Sequence, residues 1–77
     1  MSREFLDENF LTWEAYASTG AFGYPEAPHV VFNCLSNKTM RPRFVEMEGD
    51  EPDAQRALVE MPDDALRELL RSARPVP

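Results

Sequence analysis

The rhythm of apolar and polar residues changes along this chain. Between residues 29 and 36, "HVVFNCLS" groups β-branched and aromatic residues with Val30, Phe32 and Cys34 on one face, the period-two pattern of a strand. "RPRFVEME", residues 41–48, alternates as well, with Val45 and Met47 on one side and Glu46 and Glu48 on the other. From residue 54 the period lengthens. Ala54, Ala57, Leu58 and Met61, then Leu66, Leu69, Leu70 and Ala73, stand at helical spacing.

The helix ends are marked by charge and proline. Asp50, Glu51 and Asp53 crowd the start of the first helix and Asp63 and Asp64 that of the second, where the helix dipole favours negative charge. Arg71 and Arg74 sit near the end of the second. Pro62 forces a break between the two and Pro75 stops the latter, because proline lacks an amide hydrogen and crowds the preceding turn. The spacing predicts helices over 52–61 and 63–73.

A hairpin joining 29–36 to 41–48 must bring Val30 and Phe32 to the face that carries Val45 and Met47. A one-residue slip would turn one set outward. Even-numbered residues of the first strand then oppose odd-numbered residues of the second, as when Val30 or Phe32 faces Met47. Pro42 places the second strand at an edge, or begins it.

"FLTWEAYAST", residues 10–19, admits two conformations. As a strand, Leu11, Trp13, Ala15 and Ala17 alternate with Thr12, Glu14, Tyr16 and Ser18; as a helix, Leu6, Phe10, Trp13 and Ala17 share a face, with Gly20 as C-cap. The strand is preferred, because Thr, Trp and Tyr suit strands and a lone hairpin is a poor platform for two helices. The expected fold is therefore α+β: a small three-stranded antiparallel sheet followed by two short C-terminal helices packed on one face, in the order β-β-β-α-α. Trp13, Val30, Phe32, Val45 and Met47 would meet Ala57, Leu58, Leu66, Leu69 and Leu70 in the core. Residues 1–77 form a single small domain, in which 1–9 are an arm, either flexible or folded over the sheet, and 75–77 a disordered tail.

At 77 residues, with 43% hydrophobic and 29% charged positions, the composition is that of a small globular domain near the size at which one core suffices. A net charge of −6 argues against nucleic acid or an anionic membrane as main partner, since both need a basic footprint. The first residues include Glu4, Asp7 and Glu8 and lack an apolar run of signal-peptide length, so a cytoplasmic location is expected. Lys38 is the single lysine among many arginines and isoleucine is absent, a bias expected of a GC-rich bacterial genome.

Candidate chemistry is sparse. Cys34 is the only cysteine, which rules out an internal disulfide and cysteine-rich zinc sites. His29 and Cys34 fall on opposite faces of one strand and cannot act as a nucleophile–base pair. No catalytic set, metal site or cofactor is indicated. Lys38, Arg41 and Arg43, with Ser36 and Thr39 nearby, form a basic stretch in an acidic chain; their guanidinium forks could grip phosphate, a nucleotide or a carboxylate. Ordinary turn chemistry explains the same residues. Arg67, Arg71 and Arg74 line the last helix, where Asp63, Asp64 and Glu68 can neutralise them. Phe22 and Tyr24 tip a Gly- and Pro-rich loop and are expected to close one end of the core.

The sheet's second face is the stronger signal. If Trp13, Val30 and Phe32 point at the helices, then Tyr16, Val31, Leu35 and Phe44 point away. An antiparallel sheet normally leaves that face polar. The pattern therefore predicts a non-enzymatic interaction or accessory module whose apolar sheet face, centred on those four residues, binds a protein partner or a second copy of the chain as a homodimer. Small-anion binding at residues 36–43 is the alternative.

Overall fold

The computed structural model describes residues 2–18 and 28–76. Phe22 and Tyr24 lie outside them. The fold is α+β, and the antiparallel sheet has five strands where the sequence pattern suggested three. Their spatial order is that of the chain: β1 (Ser2–Leu6), β2 (Thr12–Ser18), β3 (His29–Cys34), β4 (Arg43–Glu46) and β5 (Arg74–Pro75). Two helices, α1 (Glu51–Glu60) and α2 (Asp63–Ser72), fall within a residue or so of their predicted limits. Residues 12–18 are extended, as preferred.

The parity of the hairpin holds and its register is shifted. Val30 stands opposite Val45 and Val31 opposite Phe44, so the even-to-odd pairing keeps both apolar sets on their expected faces. Met47 falls beyond the strand; its amide donates to the carbonyl of Pro28 at 2.9 Å. β4 starts after Pro42 and lies between β3 and β5, so the proline neither opens the strand nor marks an edge; its carbonyl accepts the Val76 amide at 2.9 Å. Residues 75 and 76 are thereby tied to the sheet edge, where a disordered 75–77 tail was expected; Pro77 lies outside the described residues.

Within the arm expected over 1–9, residues 2–9 are not loose either; Met1 lies outside the described residues. Ser2–Leu6 pair with β2, Phe5 opposite Trp13, so β1 lengthens the sheet and does not fold over its outer face. Phe5 packs edge-on against Phe32, with ring centroids 6.0 Å apart, in the helix-side core. That core gathers Phe5, Trp13, Ala15, Val30, Phe32 and Cys34 from the sheet with Leu58, Leu66 and Leu70 from the helices. Each fully buried large apolar side chain contributes about 1.5–3 kcal/mol.

α1 begins with a capping box. The Asp50 carboxylate accepts from the Asp53 amide at 3.0 Å, and Asp53 returns the bond to the Asp50 amide at 3.2 Å. Gly49 precedes it at φ 86°, and a Cβ there would meet Asp53 Oδ2 at 2.5 Å.

The far end of α1 has no basic residue in its last turn. Arg3, pointing inward from β1, supplies the charge from across the fold. Its guanidinium donates to the carbonyls of Leu58 (3.0 Å), Val59 (3.1 Å) and Met61 (2.7 Å) and pairs with Asp63 at 2.9 Å. One side chain thus satisfies the orphan carbonyls of α1 and bridges the Pro62 break to α2. Arg3→Ala is expected to lower unfolding stability by about 2 kcal/mol, because charge-assisted bonds to carbonyls are lost together. Asp63→Ala, which removes only the exposed ion pair, should cost under about 1 kcal/mol. Urea denaturation of the two variants checks the order.

Candidate functional site

The β1–β2 connection, residues 7–11, is organised by one carboxylate. Asp7 Oδ1 accepts from the amides of Asn9 (2.8 Å) and Leu11 (3.0 Å), the Asx-turn geometry that aspartate favours. Asp7 Oδ2 accepts from the Trp13 indole Nε1 at 2.7 Å. Its amide donates to the Leu11 carbonyl at 2.9 Å and its carbonyl accepts from the Phe10 amide at 3.1 Å. Every polar atom of Asp7 is engaged. Burial alone would raise the Asp7 pKa; the bonds from Trp13, Leu11 and Asn9 and the nearby Arg43 charge overcome it and hold the group below its ordinary 3.8.

This turn places Phe10 in an unusual position. Its φ is 63°, in the left-handed region, and its side chain is 81% exposed. A bulky residue there costs about 1–2 kcal/mol relative to the usual backbone regions. Leu6 (44% exposed) and Leu35 (41%) stand at the same end of the sheet. Leu6 pairs with Thr12, whose carbonyl accepts the Leu35 amide at 2.8 Å, so Leu6, Thr12 and Leu35 form one row across the outer face.

On the helix side of the turn lies a cleft of about 180 Å³. Asp7, Glu8, Asn9 and Leu11 line one side; Trp13, Met40, Arg43, Arg67, Leu70 and Arg71 complete it. Arg67 is committed: its Nε donates to the Leu6 carbonyl at 2.7 Å and its terminal nitrogen to Asp64 at 2.6 Å. Arg71 pairs with Glu68 and with Glu8, all three well exposed. Arg43 lies 5.8 Å from the centre of the Trp13 ring. Among the described residues its guanidinium forms no hydrogen bond or ion pair, and its charge acts on the nearby Asp7 carboxylate. The cleft therefore offers an available guanidinium, an indole and an apolar floor of Leu11, Met40 and Leu70.

The four residues predicted as an open apolar face are not left open together. Val31 is 2% exposed and Phe44 5%, Tyr16 is half-buried, and only Leu35 is well exposed. Part of the reason is β5, which pairs with β4 and lays the Arg74 guanidinium over the Phe44 ring at 5.4 Å. His29 is buried in the same cluster, its ring 5.6 Å from that of Phe44. Cys34 is buried on the opposite face, among the helix-side core residues.

The basic stretch also divides. Lys38 is exposed on a turn in which Asn37 Oδ1 accepts from the Thr39 amide and hydroxyl at 3.1 and 2.6 Å. Arg41 donates to the Val76 carbonyl at 3.3 Å. Arg43, opposite Phe32 in the ladder, turns to the helix side. It joins Arg67 and Arg71 in the cleft and not its neighbours in sequence. The clue to Phe10 was the turn chemistry of "DENF", where Asp and Asn flag a tight connection.

Among the described residues, no three His, Cys, Asp or Glu side chains gather as a metal site, and no helix is long and apolar enough to cross a membrane. No protein-family model matches the chain, nor does any curated protein or solved structure.

Because the Asp7 pKa is lowered by folding, its stabilising contribution is present above the unfolded value and lost as pH falls through the lower folded value. Asp7→Asn keeps an acceptor for Trp13 and removes the titration. The wild-type chain should lose more stability than Asp7→Asn between about pH 5 and pH 3, measured by urea unfolding followed through Trp13 fluorescence.

Proposed function

We propose that this chain is a small non-enzymatic protein-interaction module whose contact surface is the turn end of the sheet, formed by Phe10 with Leu6 and Leu35. Phe10 carries the proposal. A large aromatic side chain held in water, on a strained backbone and by a turn whose bonds are complete, is pre-organised for contact with something outside the fold. Three of the four large hydrophobic side chains exposed among the described residues cluster at that end. Leu35 remains from the outer-face surface predicted by the sequence; Val31 and Phe44 are withdrawn from it by burial, and Tyr16 is half-buried opposite Ser2 and Val31, away from the turn end. A cytoplasmic setting, where the lone thiol of Cys34 stays reduced, fits this role.

The test uses stability and binding together. Phe10→Gly relieves the left-handed backbone and should leave stability unchanged or raise it, by up to about 1 kcal/mol. A protein retained by the immobilised wild-type domain, once identified and purified, should bind Phe10→Ala about 30-fold more weakly, the effect of losing an anchoring aromatic. Equal affinity for the two would refute the assignment.

Arg43 favours a second function, the binding of a small anion. Its guanidinium is backed by the Trp13 ring, and the cleft has room for a carboxylate or phosphate. Trp13 is the sole tryptophan, so its fluorescence reports the cleft directly. Titration with phosphate, ATP and simple carboxylates should shift that signal and the amides around Arg43, and Arg43→Ala should abolish both changes. No response up to millimolar ligand removes this second function.

A further inference from the structure

We propose that the partner is a second copy of this chain, with Phe10 of each copy seated in the cleft of the other. The assignment rests on Phe10 being a contact residue and names what it contacts. Phe10 does not fill its own cleft: its side chain is largely in water, and the bonds to Asp7 fix the turn that holds it there.

Size and chemistry both suit a phenyl ring. The cleft measures about 180 Å³, and a cavity of about 150 Å³ is enough to take benzene. The ring would rest mainly on Leu11 and Met40, which keep exposed surface, beside the Arg43 guanidinium that lies over the Trp13 ring.

Position matters as much. The turn that carries Phe10 is also one wall of the cleft, so knob and socket are neighbours on a single surface. A two-fold axis beside that wall brings each knob to the other's socket, which closes the assembly at two copies. Knob and socket on distant surfaces would instead build an open filament. The rim carries both signs, Glu8 on the turn and Arg71 on α2, and is complementary to itself under the same rotation. Their exposed pairing within one copy is weakly held and can be exchanged for the same pairing between copies.

Sedimentation equilibrium of the full chain from about 10 µM to 1 mM, the range in which a small interface of this kind associates, tests the proposal. The expected result is a reversible monomer–dimer equilibrium that Phe10→Ala abolishes within this range, because about 30-fold is lost at each of the two anchors, while the melting curve recorded at a concentration where the chain is monomeric stays unchanged. Glu8→Arg and Arg71→Glu should each dimerise more weakly alone. An equimolar mixture of the two should recover association, because both crossed pairs are then attractive. A wild-type chain that stays monomeric throughout overturns the proposal, as does a dimer indifferent to Phe10→Ala, or charge variants that self-associate as the wild type does. If the chain is monomeric while an identified foreign partner still loses affinity for Phe10→Ala, self-pairing falls and the interaction role stands. If that partner is equally indifferent, both fall.

Discussion

The Asp7 carboxylate holds the part of this molecule on which the exposure of Phe10 and the wall of the cleft depend. It closes the β1–β2 turn through the amides of Asn9 and Leu11, and its other oxygen receives the Trp13 indole. Without that acceptor, a buried Trp13 would leave a polar N–H without a protein partner, and the wall of the cleft would lose its anchor. With it, Phe10 is committed to a left-handed backbone and to solvent. The strain at Phe10, the cleft and the lowered Asp7 pKa are consequences of one group.

The edge strand that enters this turn is secured by arginines from opposite directions. Arg3 leaves β1 to cap α1, and Arg67 leaves α2 to donate to the last carbonyl of β1. An edge strand exposes backbone groups that invite pairing with other chains. Here one of those groups is occupied by a guanidinium and the strand is locked to both helices.

What the sequence revealed depended on whether a signal was local. Both helices were legible because prolines and acids mark their limits, and the hairpin's sidedness followed from the alternation of Val30, Phe32 and Val45. β1 was hidden because its inward positions are Arg3 and Phe5 and an outward one is Leu6, which breaks the usual alternation. An inward arginine makes sense only when carbonyls more than fifty positions away are known to await it. β5 was hidden because a two-residue strand containing proline has no pattern. That omission also left Phe44 looking exposed. The cleft joins Arg43 to Arg67 and Arg71 across the fold, whereas sequence proximity had grouped Arg43 with Lys38 and Arg41.

Asp7 fixes the turn by holding the Trp13 indole and the Leu11 amide at once. Native-state hydrogen exchange of those two protons measures it most directly. Slow exchange of both in the wild-type chain, with both released together in Asp7→Ala, is the predicted result. Exchange of the indole proton at the rate of an unstructured peptide in the wild-type chain would contradict it.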